Sequence, residues 1–169
     1  MASNPIEDAP GPEAIRQVRR LHAAGVTAVT FVDDLGFRGV TVTAFAVVSL
    51  DPPRVLVCLD RASEALDAIT RSGHFAINLL GDHQEFLADR FAGRAPIVNR
   101  KFDGVPHHVT PFGSPVLDDS LAWFDCALDR IVSGGDHDVV IGDVREAAKG
   151  SATLPLLYFD GAYGELRAD

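Results

Sequence analysis

Between Val26 and Leu59 the chain reverses so often that no helix fits between successive extended segments. Four stretches, Val26–Val32, Phe37–Ala44, Phe45–Leu50 and Arg54–Leu59, are rich in valine, threonine and phenylalanine, and Asp-Asp-Leu-Gly and Asp-Pro-Pro mark the breaks. A parallel pair needs a crossover of roughly a dozen residues. These strands must therefore pair antiparallel.

The rest of the chain adds helices only at the margins. Residues 1–11 are polar and proline-rich and read as a loose arm, leaving 12–169 as one domain. A first helix is expected from Pro12 to His22, with Ile15, Val18 and Leu21 at helical spacing and Gly25 beyond it. A second begins at Ser63, a good N-cap, and stops at Gly73. His74–Leu80 is a strand. Asp82 and Glu85 resemble a capping box opening a third helix that ends before Gly93. Residues 94–104 form an irregular loop carrying Arg94, Arg100 and Lys101. Strands follow near His107–Phe112, Leu121–Val132, Asp138–Ala147, Leu156–Phe159 and Ala162–Leu166. The expected fold is mainly β: a closed, Greek-key-like antiparallel barrel with two or three short helices as caps.

Charge and motif content exclude several functions. With 24 acidic and 15 basic residues the net charge is -9, the wrong sign for a phosphate backbone, so nucleic acid is not an expected partner. No G-x-G-x-x-G, P-loop or G-x-S-x-G motif is present. His107 and His108 are adjacent and face opposite sides of a strand, which does not suit one metal ion. Cys58 and Cys126 lack C-x-x-C spacing and read as buried small hydrophobes in a reducing compartment. Glu7 and Asp8 stand where a secretion signal carries basic residues, and apolar runs are strand-sized. A cytoplasmic protein without membrane spans is expected.

An ordered set of segments then points to a family. Gly39-Val-Thr-Val-Thr-Ala-Phe45 is followed by Val48-Ser-Leu-Asp-Pro-Pro53, Val57-Cys-Leu-Asp60, Ser63 and His74-Phe-Ala-Ile-Asn-Leu-Leu80. Lys101-Phe102, Gly135-Asp-His137 and Pro155-Leu-Leu-Tyr158 come after them. No single segment is specific, but the series, spanning residues 25–164, resembles the flavin-reductase-like, FMN-binding split-barrel proteins. The resemblance implies an NAD(P)H-dependent flavin reductase that binds FMN or FAD and takes hydride from NADH or NADPH. It further implies a homodimer with flavin near the subunit boundary, and reduced flavin passed to a separate oxygenase component.

The same resemblance nominates the site. Thr41, Val42, Thr43 and Ala44, with Ser49 nearby, fall at its phosphate loop, where threonine hydroxyls and corner amides suit an anion. Thr41 and Thr43 are also plain β-formers. Cys58, Leu59 and Asp60 fall along the isoalloxazine edge and would donate mainly backbone N–H. Ser63 is either a pure cap or a phosphate contact at a helix N-terminus. Asn78, polar in an apolar strand, either ties strands together or faces the ligand. Lys101 and Phe102 match a basic–aromatic pair beside the cofactor, and a solvated loop lysine is the plain alternative. Arg38 is a second phosphate contact or an exposed strand charge. His137, after Gly134-Gly135-Asp136, matches a histidine that contacts nicotinamide; the alternative is a loop histidine bonded to Asp136 or Asp138. Hydride transfer asks little of side chains, which fits the lack of an obvious general acid or base. Two other readings use the same barrel: a flavin binder without turnover, and an enzyme with another electron donor or acceptor.

Overall fold

The computed structural model describes residues 9–95 and 102–166. Its central sheet has seven strands: β2 (Thr27–Asp33), β3 (Gly36–Val42), β4 (Phe45–Leu50), β5 (Pro53–Asp60), β6 (His74–Leu79), β9 (Ala122–Ser133) and β10 (His137–Lys149). They run in the order β3-β2-β6-β9-β10-β5-β4, and every pairing is antiparallel. β3 and β4 therefore lie at opposite edges of the order, although only Thr43 and Ala44 join them. Two residues span roughly 7 Å. The sheet must curl until its edges meet, and the expected split barrel follows from that short link. At the junction the Cys58 amide donates to the Ala44 carbonyl, 3.1 Å away. Register shifts at Ile141/Gly142 and Val144/Glu146 bend the long β9–β10 hairpin around the barrel.

Two smaller sheets complete the strands. β1 (Ala24–Gly25), β11 (Leu156–Phe159) and β12 (Ala162–Glu165) form one; β7 (His107–Val109) and β8 (Pro115–Leu117) form the other. The sequence expected a strand to Phe112 and none at Pro115–Leu117. Instead the chain turns at Thr110–Ser114, where the Thr110 amide donates to the Ser114 carbonyl, and makes a short hairpin.

The helices are α1 (Pro12–Arg20), α2 (Glu64–Ser72) and α3 (Glu85–Phe91). α1 stops two residues short of His22 because the Leu21 and His22 amides close onto Val18 and Arg19. It buries none of its residues. α2 behaves as its sequence reads: Ser63 Oγ accepts from the Ala65 amide and Gly73 ends the helix at φ 73°. Its Ala65, Leu66, Ala68 and Ile69 enter the barrel core with Val29, Phe31, Val57, Phe75, Ile77 and Val140. The expected Asp82/Glu85 capping box does not form. A turn of 3-10 helix, Asp82–Gln84, precedes α3, and Gln84 Oε1 accepts from the Gly81 amide at 3.0 Å. α3 lies on the outer face of β3. A Cβ on Gly39 would sit 2.7 Å from the Phe91 ring, so only glycine permits that approach.

Candidate functional site

The closing corner and the β5–β10 end beside it gather six of the nominated residues. β3 ends at Val42, and Thr43 and Ala44 turn the chain across to β4, both exposed. Among the described residues neither their amides nor the Thr43 hydroxyl has an acceptor or donor partner. The Ala44–Cys58 hydrogen bond fixes this corner against β5. In the β5–β10 register Cys58 faces Val139, Leu59 faces Asp138 and Asp60 faces His137. The Arg61 amide donates to the Asp136 carbonyl at 3.1 Å, and the Ser63 amide to the Asp60 carbonyl at 2.9 Å. One continuous rim thus carries Thr43, Ala44, Cys58, Asp60, Ser63 and His137.

His137 has a half-exposed ring whose Nδ1 lies 2.9 Å from Asp136 Oδ1. That hydrogen bond holds the Asp136 carboxyl below the usual carboxylate range. An ionised carboxylate only accepts, so Nδ1 carries a proton and Nε2 is left without a partner among the described residues. The Asp136 partner foreseen for a loop histidine is present. It also orients the ring at the rim.

Other nominated residues are committed elsewhere. The Thr41 hydroxyl donates to the Ala88 carbonyl at 2.6 Å, tying β3 to α3. Val42 packs against the barrel core. Ser49 pairs with Arg54 at the far end of β4 from the corner. The Leu59 side chain points into the core, 1% exposed. The Cys58 amide, expected to serve a ligand, is already used by Ala44, so β5 walls the site without offering that donor. Ser63 caps α2, whose first turn already carries Glu64 and Asp67; these carboxylates disfavour a phosphate there.

Asn78 and Phe102 depart furthest from a ligand-facing role. Asn78 is wholly buried. Its Nδ2 donates to the Ala28 carbonyl and to Thr30 Oγ1, and its Oδ1 accepts from the Leu117 amide. This is the strand-tying alternative, and the ring-facing one is corrected. Phe102, 7% exposed, packs against Phe37, Phe91 and His107 in a cluster outside the barrel, so its ring is a core ring and not a cofactor cover. Arg38 pairs with Asp33 at 2.8 Å in a mostly buried contact. Lys101 lies outside the described residues.

Sequence reading missed a network beside that loop. Arg94 bonds Asp89 at 2.9 Å and the Tyr163 hydroxyl at 2.6 Å, while Tyr163 also donates to Asp89. Tyr163 is 69 positions from Arg94, so no local signal could join them. Burial pushes the Tyr163 phenol up to about 12. Burial likewise lifts the Cys126 thiol to about 12, which keeps it protonated and inert. Among the described residues no group of three or more histidine, cysteine or acidic side chains could hold a metal. No helix among them is long and apolar enough to cross a membrane.

Comparison with known proteins supplies the remaining information. A family model described as a flavin reductase like domain matches residues 18–167. A flavin reductase of Pseudomonas putida is 37% identical over 169 residues, covering 99% of this chain and 98% of that protein. The reductase subunit of a flavin-dependent monooxygenase from Rhodococcus jostii is 38% identical over 94% of this chain and 80% of its own. Among solved structures, an NADH:FAD oxidoreductase of Streptomyces globisporus in complex with NAD and FAD fragments superposes with a TM-score of 0.85. It is 29% identical and covers 96% of this chain and 99% of its own.

Proposed function

The chain belongs to the flavin reductase-like family and is an NAD(P)H:flavin oxidoreductase, and from that premise we propose that its flavin lies along the rim joining the Thr43–Ala44 corner to His137. The observation that carries this placement is the set of uncommitted donors at the corner: two amides and the Thr43 hydroxyl, exposed where the barrel edges meet. Such outward-facing donors fit a flavin's polar edge or phosphate. When bound, flavin supplies the hydride acceptor and NADH or NADPH the hydride.

This chain's residues then bind and orient. Thr43 and Ala44 hold the anionic side. The β5 end and the α2 N-terminus, pinned by the Ser63 cap, give the site a rigid wall. His137, oriented by Asp136, stands where nicotinamide would enter, with Nε2 available to its polar groups. Lys101 is assigned to a phosphate. The acidic surface does not oppose this, because charges beyond roughly 8 Å are screened.

The relatives named as monooxygenase reductase subunits support a further part of the reading: this protein hands reduced flavin to a separate oxygenase component. A homodimer is proposed on the apolar surface left open, chiefly Val47, Val48 and Leu50 of β4, which are 51%, 49% and 86% exposed. Two free cysteines fit a cytoplasmic location.

The test is NADH oxidation in air, followed by nicotinamide absorbance, with FMN or FAD varied. Turnover that saturates with free flavin supports a flavin-as-substrate reductase and ranks the two flavins. Turnover independent of added flavin would instead mark a retained prosthetic group, and the hand-off reading would then be wrong.

A further inference from the structure

β10 runs 13 residues from His137 to Lys149, roughly 40 Å of extended chain. At the end away from His137, a cavity of 490 Å³ opens between the β7–β8 hairpin and the end of β10. That is within the usual span of small-molecule pockets, roughly 300–1,000 Å³. No residue of the flavin rim lines it.

Seven side chains give it character. Trp123, 9% exposed, lines it, and the His108 imidazole stands edge-on to the indole at 5.9 Å and 74°. Asp118 Oδ1 is held by His108 Nδ1 at 3.0 Å, and Asp119 Oδ1 by the Ser151 hydroxyl at 2.7 Å. Each carboxylate is thereby oriented and keeps its second oxygen uncommitted among the described residues. Lys149 has no carboxylate partner among them. Ser120, 1% exposed, backs the wall with its hydroxyl closed off from the cavity.

The charges select the occupant. Two carboxylates face one ammonium, so a lone anion is repelled and a lone cation must share the site with Lys149. A molecule carrying both charges satisfies both sides, and an aromatic ring suits the indole. We propose that this cavity is a second binding site, for a small zwitterion with an aromatic ring, the chemistry of a free aromatic amino acid. Its carboxylate pairs with Lys149, its ammonium lies between Asp118 and Asp119, and its ring packs on Trp123.

Trp123 is the only tryptophan in the chain, so indole emission reports directly on this cavity. The experiment titrates the full chain, without added flavin, with L-phenylalanine, phenethylamine and 3-phenylpropionate, exciting where none of them absorbs. A saturable change is expected with phenylalanine, with each single-charge analogue about ten-fold weaker. Lys149→Gln should erase the preference for phenylalanine over phenethylamine, and Asp119→Asn the preference over phenylpropionate. Lys149→Gln should keep normal flavin-dependent NADH oxidation, which shows that it folds and that the two sites are separate. No saturable emission change with phenylalanine, equal affinity for the three probes, or phenylalanine affinity unchanged in both charge variants would overturn the proposal.

Discussion

His137 and Thr43 stand on the same rim but should fail differently when removed. His137 has an oriented ring and an available Nε2 at the start of β10, whereas the Thr43 hydroxyl is an uncommitted donor at the corner. His137→Ala is expected to raise KM for NADH several-fold, leaving the flavin dissociation constant unchanged. Thr43→Ala should weaken flavin about five-fold, the worth of one hydrogen bond near 1 kcal/mol, with little effect on KM for NADH. Fluorescence titration of flavin and steady-state kinetics with varied NADH separate the two. The opposite pattern would exchange their roles. At this scale sequence identified residue types well but not their commitments. Thr41 and Thr43 are indistinguishable in sequence, yet Ala88, far along the chain, takes up only the Thr41 hydroxyl.

Elements are held to one another by buried polar groups, and two of these give measurable consequences. Asn78 joins β6 to β2 and β8. Asn78→Ala would strand the Leu117 amide it satisfies, as well as leaving a cavity. A loss of about 3 kcal/mol is expected in urea unfolding, with flavin affinity unchanged in the fraction that remains folded. His74, at the head of β6, pins the β7–β8 hairpin through Ser114 Oγ at 2.9 Å. Burial lowers its pKa; Asp125 pulls it up and Arg145 down, and burial prevails. The unfolded chain therefore takes up a proton near pH 6.5 that the folded chain resists, so stability falls as pH drops through that value. Thermal unfolding should show a steeper loss between about pH 7 and pH 5.5 in the wild type than in His74→Gln. If the two slopes coincide, His74 is not the titrating pin. The hairpin itself illustrates a limit of sequence reading. Three-residue strands offer too few positions for a period to show, and Pro115 stands at the first residue of its strand, a place that proline tolerates.

For the whole molecule the open question is what covers its apolar surface. β4 exposes Val47 and Val48 together because the register shift between Val47 and Ser49 breaks its alternation. Ile15 and Val18 of α1 and Leu21 at its C-cap are 52%, 71% and 65% exposed, an apolar face that no described residue buries. Sedimentation of the wild type should give twice the 18.1 kDa chain mass. Val47→Asp with Leu50→Asp should shift it toward a monomer, and a fall in flavin affinity in step would show that the partner completes the site. A wild-type monomer at micromolar concentration would count against the homodimer.

The sequence by itself determined the antiparallel character, since turns after every few residues leave no length for crossovers. It also determined that α2 would be capped by Ser63 and stopped by Gly73, because capping depends on chemistry within a few positions. The ordered segments were enough to place the chain among flavin reductases. Only the tertiary structure decided where the expected barrel closes, through a two-residue link between opposite sheet edges. It alone decided which polar groups remain uncommitted: Asn78 and Arg38 were consumed by distant or buried partners, while Thr43 was spared. Local structure is written by near neighbours. The accounting of buried donors and acceptors is settled only when residues tens of positions apart are brought within 3 Å.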